Sequence, residues 1–136
     1  MLMPKRVKYR KTHIAKPKGY ATRGTEIVFG QYGLRAMEPA WVTARQIEAA
    51  RVALTRYLKQ GSKIWLRIFP DRSVTKKAAE SRLGKGKGDP AYWVSIVRPG
   101  RIIIELEGPL PEEAKKALDI AAHKFPMRTK FTVRYK

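Results

Sequence analysis

Residues 92–107 read YWVSIVRPGRIIIELE, and this stretch decides the fold because it places two strand-forming runs around one turn. The runs, 92–97 and 102–107, are rich in the β-branched and aromatic residues that strands favour. Residues 98–101, RPGR, have the proline and glycine of a β-turn. The sequence therefore predicts that the two runs pair as an antiparallel hairpin.

The second run contains two acidic residues, Glu105 and Glu107, which would lie on the same side of a strand. Two such carboxylates could act as a pair in acid–base catalysis. Nothing near them in the sequence indicates a pocket. We therefore expect both side chains to face solvent.

A first helix is predicted from residue 43 to a stop at Gly61. Residues 43–46, TARQ, have the form of a capping box, in which the threonine and glutamine side chains bind each other's backbone N–H groups. One side of the helical wheel is apolar or aromatic: Ile47, Ala50, Leu54, Tyr57 and Leu58. The opposite side is basic, with Arg51 at its edge, and is a candidate RNA contact: Arg45, Arg56 and Lys59.

A second helix is predicted to begin at Pro111 and to end near Lys124, with glutamates in its first turn where they suit the helix dipole. Its core face is formed by Ala114, Ala117, Leu118, Ala121 and Phe125. Its outer face mixes Lys115, Lys116 and Asp119, which is typical of ordinary solvation. This helix is therefore assigned to the scaffold.

Further strands are predicted at 64–69 and 130–135, with shorter candidates at 27–29 and 34–37. The helices are too few for a βαβ array. The predicted fold is α+β: an antiparallel or mixed β-sheet sandwich with two helices packed on one face. Residues 1–136 are expected to form a single domain, with a basic N-terminal extension (1–24) and a basic loop (71–88).

The net charge limits the class of partner. Thirty Lys and Arg against eleven Asp and Glu give +19 over 136 residues, and residues 1–88 alone hold 21 basic and 5 acidic side chains. Such a density repels itself unless a polyanion neutralises it, which favours nucleic acid. An anionic membrane is the alternative, but no basic amphipathic anchor or lipidation signal is evident, so no membrane partner is expected.

The extension 1–24 has no acidic residue, few aliphatic residues and no lasting periodicity. It is predicted to become ordered against RNA, where its aromatic rings can stack on bases, and a solvated tail is the alternative. The side chains expected to bind RNA are Lys5, Arg6, Lys8, Tyr9, Arg10, Lys11, His13, Lys16, Lys18 and Arg23.

The loop 71–88 ends in GKGKG, whose glycines let the backbone approach a phosphate closely. A nucleotide-binding P-loop is excluded by the spacing of the glycines, and a plain flexible loop is the alternative. The residues expected to contact RNA are Arg72, Lys76 and Lys77, followed at the tip by Arg82, Lys85, Gly86 and Lys87.

Enzymatic chemistry is not indicated. The chain has no cysteine, and His13 and His123 alone cannot form a metal centre. No nucleophile elbow, dinucleotide fingerprint or kinase motif is present. We expect no catalysis, cofactor, metal or small-molecule substrate, and the absence of a signal peptide predicts that the protein stays in the cytosol.

Several motifs in order resemble the universal large-subunit ribosomal protein family called L-sixteen in bacteria, with L-ten-e relatives in archaea and eukaryotes. The matching segments cover nearly the whole chain. They are MLMPKR (1–6), TARQIEAAR (43–51), KIWLRIFPD (63–71) and RLGKGKG (82–88), with Trp93 at the expected distance. Leu83 and Ser73 depart mildly from the bacterial pattern.

The resemblance implies a structural constituent of the large ribosomal subunit that binds 23S-type rRNA near the peptidyl transferase centre. It implies contact with tRNA in the A site, with P-site tRNA as the alternative, through the tip of loop 71–88. Other large-subunit proteins would be partners, and self-association is not expected. Two rivals stay open: a free-standing nucleic-acid binder and an rRNA-modifying enzyme.

Overall fold

The computed structural model describes residues 2–5, 19–58, 61–76 and 89–134, and of residues 75–76 and 89–91 it describes the backbone alone. These parts of the chain contain two helices and seven strands. In chain order they are β1 (Tyr32–Ala36), β2 (Ala40–Thr43), α1 (Ala44–Tyr57), β3 (Lys63–Leu66), β4 (Arg72–Lys76), β5 (Asp89–Val97), β6 (Ile102–Glu107), α2 (Pro111–Ala122) and β7 (Thr129–Val133).

The strands form two antiparallel sheets. The first has the order β3-β6-β1-β7 and the second the order β2-β5-β4. Helix α2 packs on β1 and β7, while α1 packs on α2 and also contacts β2 and β5. The predicted α+β class is confirmed.

The turn predicted at residues 98–101 is present. The backbone N–H of Arg101 donates to the carbonyl of Arg98 at 3.3 Å. Gly100 has φ +98°, a left-handed conformation that glycine adopts without steric cost. The sequence therefore located this turn correctly.

The hairpin predicted around that turn is wrong. Strand β5 pairs with β2 and β4, whereas β6 pairs with β1 and β3. Next to the turn, Ile102 N donates to Gly24 O at 2.7 Å and Ala36 N donates to Arg101 O at 2.8 Å. Other segments thus occupy the backbone groups through which the two runs would pair. Residues 98–101 are a crossover between the two sheets.

The strands predicted at 64–69, 102–107 and 130–135 correspond to β3, β6 and β7, and the short candidate at 34–37 corresponds to β1. β2 and β4 were not predicted, and β4 occupies the start of the segment 71–88 assigned to a loop. Residues 27–29, a short strand candidate, are not a strand.

Both helices begin where the sequence predicts and end earlier. α1 ends at Tyr57 rather than near Gly61, and Tyr57, assigned to the core, is 42% exposed. α2 ends at Ala122, followed by a tight turn in which Lys124 N donates to Ala121 O. The other core-facing side chains predicted for the helices are buried, except that Leu58 is partly buried.

Glu105 was predicted to face solvent, and this is wrong because its side chain is fully buried. Its Oε1 accepts hydrogen bonds from the backbone N–H groups of Val28, Phe29 and Gly30 at 2.7 to 3.0 Å. Its Oε2 pairs with the guanidinium of Arg67. A buried carboxylate is tolerated only when it is paired and hydrogen-bonded, and this one meets both conditions.

The carboxylate explains why residues 27–29 are not a strand. The backbone N–H groups of Val28 and Phe29 donate to Glu105 of β6 instead of to a neighbouring strand. Gly30 lies so close to β6 that an added Cβ would collide with the carbonyl oxygen of Leu106. The ring of Phe29 stacks on Trp65, and the Arg67 guanidinium lies 5.2 Å from the centre of the same ring.

We predict that Glu105→Gln lowers the free energy of unfolding by about 3–5 kcal/mol, because it removes the charge that balances Arg67. Urea unfolding of the full chain measures the change. Glu107→Gln is the matched control, since Glu107 is half-buried on the same strand and forms no ion pair among the described residues. Equal losses in both variants would contradict this role for Glu105.

The capping box predicted for α1 is confirmed. Thr43 Oγ1 accepts from Gln46 N at 3.1 Å, and Gln46 Oε1 accepts from Thr43 N at 2.9 Å. We predict that Thr43→Ala lowers the free energy of unfolding by about 1 kcal/mol. The control is Thr55→Ala in the same helix, whose exposed hydroxyl donates only to Arg51 O. If both variants unfold at the same urea concentration, the box contributes nothing.

Candidate nucleic-acid interface

The outer side of α1 presents a basic surface, which we call the α1 surface. It consists of a shallow groove of about 400 Å³ lined by Arg45, Glu48, Ala49, Val52, Ala53, Arg56 and Lys124. Arg45 and Arg56 are eleven residues apart, about three helical turns, so both project from the same side as Ala49 and Val52. The helix buries its other side through Ile47 and Leu54, which fixes the direction of the two arginines.

Lys124 joins the α1 surface from the turn after α2. The sequence assigned the second helix to the scaffold and gave this lysine no role. It reaches the surface because α1 and α2 pack together, which brings the end of α2 beside the outer side of α1. No local sequence signal marks such a contact, because it depends on how two helices 53 residues apart in the chain are packed.

The single acidic residue of the α1 surface is already paired. Glu48 Oε2 accepts from Arg51 Nε at 3.2 Å, one helical turn away. The hydrogen bond from Arg51 lowers the pKa of Glu48, and the same hydrogen bond raises the pKa of Arg51. Both groups therefore stay charged and offset one another, which leaves Arg45, Arg56 and Lys124 as the net positive charge.

The other described residues of the predicted set do not line this groove. Lys5, Arg23 and Arg72 are exposed, and Arg72 begins β4. Lys76 ends β4, and only its backbone is described. The remaining predicted residues lie outside the described parts of the chain: Arg6, Lys8, Tyr9, Arg10, Lys11, His13, Lys16, Lys18, Lys59, Lys77, Arg82, Lys85, Gly86 and Lys87.

The described residues contain neither a metal-binding cluster nor a membrane-spanning helix. No group of three or more histidine, cysteine, aspartate or glutamate side chains that could hold a metal ion occurs within 2–5, 19–58, 61–76 and 89–134. No helix in that part of the chain is long and apolar enough to cross a membrane. Two of the grooves in the described part of the chain contain several arginines, one on the outer side of α1 and one lined by Arg67, Arg72, Arg98 and Arg101.

These features define a class: a small, strongly basic α+β protein with arginine-lined surfaces. The family model described as ribosomal protein L16p/L10e matches residues 4–132, almost the whole chain. The protein therefore belongs to the L16p/L10e family, as its motifs suggested. It is a structural component of the large ribosomal subunit in the cytoplasm, in a family that is structural rather than enzymatic and associates with rRNA and other ribosomal proteins.

Proposed function

We propose that this protein binds 23S-type rRNA near the peptidyl transferase centre, supports assembly of that region and contacts tRNA in the A site. The observation that carries the proposal is a charge of +19 on a chain that matches the L16p/L10e family over residues 4–132. The α1 surface supports it, because Arg45 and Arg56, which have no ion-pair partner among the described residues, lie on one side of a capped helix. We expect no self-association, since the net charge opposes it.

The mechanism is neutralisation of closely packed phosphates together with positioning. Lysine and arginine release the counterions condensed on RNA, and this release makes affinity depend strongly on salt. The folded body fixes the directions of the basic side chains, so that they reach phosphates without much loss of conformational entropy. Reading of base sequence is secondary in this mechanism.

We predict a steep salt dependence of binding. If ten phosphates are engaged, the logarithm of affinity falls with the logarithm of salt concentration at a slope of roughly −7 to −9. Filter binding of the full chain to 23S-type rRNA measures this slope. A slope near zero would remove the mechanism.

The α1 surface gives a sharper test in the same assay. Arg45→Gln/Arg56→Gln should reduce the slope by roughly 1.4–1.8, because each lost phosphate contact contributes about 0.7–0.9. Glu48→Gln should strengthen binding, since it removes the one acidic group. Lys115→Gln/Lys116→Gln is the matched control with the same change in charge on the outer face of α2. Equal slopes in the two double variants would exclude the α1 surface.

The tRNA contact is proposed for the tip of segment 71–88, which includes Arg82, Lys85 and Lys87. Because the chain has no cysteine, Lys85→Cys allows a photocrosslinker to be attached at that position alone. In large subunits with a filled A site, we predict crosslinks to tRNA and 23S-type rRNA. Lys115→Cys, carrying the same reagent, should give no tRNA crosslink. Absence of tRNA from the Lys85→Cys products would contradict this contact.

A further inference from the structure

A second groove, of about 510 Å³, lies between the two crossovers of the chain and is here called the crossover groove. Residues 66–72 carry the chain from β3 in the first sheet to β4 in the second, and residues 97–102 carry it back from β5 to β6. Both crossovers and Leu2 line the groove. Its size is that of a small-molecule pocket, so it can hold only a short part of a longer chain.

The crossover groove collects four arginines that are remote in sequence. They are Arg67, Arg72, Arg98 and Arg101, and only Arg72 belongs to the set predicted to bind RNA. The charge of Arg67 is matched by Glu105. The other three arginines and Asp71 give the lining a net charge of +2, which favours an anionic occupant.

Two of the four arginines, Arg67 and Arg101, are held in place by the fold. The Arg101 guanidinium donates to the carbonyl of Arg67 at 3.0 Å, and the backbone of Arg67 donates to Ile103 O at 2.8 Å. A cationic groove that is ordered before its ligand arrives loses less conformational entropy on binding. Guanidinium groups also match the geometry of phosphate oxygens.

Phe69 distinguishes this groove from a simple anion site. Its ring lines the groove beside Arg67 and Arg72 and is 45% exposed, so part of the ring is accessible to a ligand. An exposed ring next to guanidinium groups suits an unpaired nucleotide, whose base can stack while its phosphate is neutralised. An acidic peptide would use the charges and leave the ring without a role.

The groove also adjoins the basic N-terminal segment. Leu2, before residues 6–18, lines the groove, and Ala21, after them, donates its backbone N–H to Pro99 O of the second crossover at 3.0 Å. That segment contains six lysine or arginine residues. The groove is therefore continuous in the chain with one of the regions proposed to bind rRNA.

We infer that the crossover groove binds an unpaired segment of rRNA, with Arg72 and Arg98 on its phosphates and Phe69 stacked against a base. The inference rests on the proposed function and adds a binding site to it. The described partners of the Glu105 carboxylate are the backbone N–H groups of residues 28–30 and the Arg67 guanidinium, and the test leaves all of these in place.

The test uses the full chain and two probes, a single-stranded oligouridylate of 15 nucleotides and an RNA duplex of 15 base pairs. Arg72→Gln/Arg98→Gln should reduce the salt slope for the single strand by roughly 1.4, and Lys115→Gln/Lys116→Gln should leave it unchanged. Phe69→Ala should weaken single-strand binding about 5- to 150-fold and duplex binding much less. Phe69→Tyr, which keeps an aromatic ring, should restore it. Urea unfolding of each variant checks that it is folded.

Three outcomes would overturn the inference. In the first, Arg72→Gln/Arg98→Gln and the lysine control have the same salt slope, while wild-type protein still binds 23S-type rRNA. The crossover groove would then not be a binding site, and the proposed function would still stand. The second is that polyglutamate of equal charge competes as well as oligouridylate and Phe69→Ala has no effect, which would indicate an acidic peptide site. The third is that wild-type protein binds no rRNA, in which case both proposals fail.

Discussion

The fold depends on one buried charge. Glu105 lies in β6, an inner strand of the four-stranded sheet, and its buried carboxylate accepts hydrogen bonds from three consecutive backbone N–H groups and pairs with one guanidinium. These partners come from residues 28–30 and Arg67, which are remote from Glu105 in the chain. A carboxylate in such a place is costly without all of its partners. The interaction therefore fixes the segment before β1 and the end of β3 against the same strand.

The same interaction connects the core to the basic surfaces. Arg67 is bound to Glu105, lies over Phe29 and lines the crossover groove. Its carbonyl accepts from Arg101 on the other crossover. A carboxylate inside the protein thus orders arginines at its surface, and because it is buried beneath them it does not occupy the surface that a polyanion would contact.

Acidic residues on the surface serve a related purpose. Glu48 pairs with Arg51 and Glu38 with Arg128, each within the described residues. Exposed pairs of this kind contribute little to stability. They affect the distribution of charge instead. Because Glu48 and Glu38 pair with Arg51 and Arg128, neither of them neutralises Arg45 or Arg56, which have no acidic partner among the described ion pairs. A protein of net charge +19 can fold in this way and keep its positive surfaces for a polyanionic partner.

Local pattern determined the parts of this protein that depend on neighbouring residues: the capping box at Thr43, the buried face of α2, the turn at Gly100, the run of β6 and the overall charge. Tertiary structure decided the rest. Residues 92–107 contain two segments that form strands, as predicted. Which strands they pair with depends on segments tens of residues away, and for this reason the connection between them is a crossover and not a hairpin. Glu105 stands between Ile104 and Leu106, a pattern in which a glutamate usually faces solvent. Its burial is possible only because residues 28–30 and Arg67 approach it and supply its partners. The sequence predicted two residues of the α1 surface, Arg45 and Arg56. The place of Lys124 on that surface and the crossover groove both depend on packing, which brings together segments that are separate in the chain.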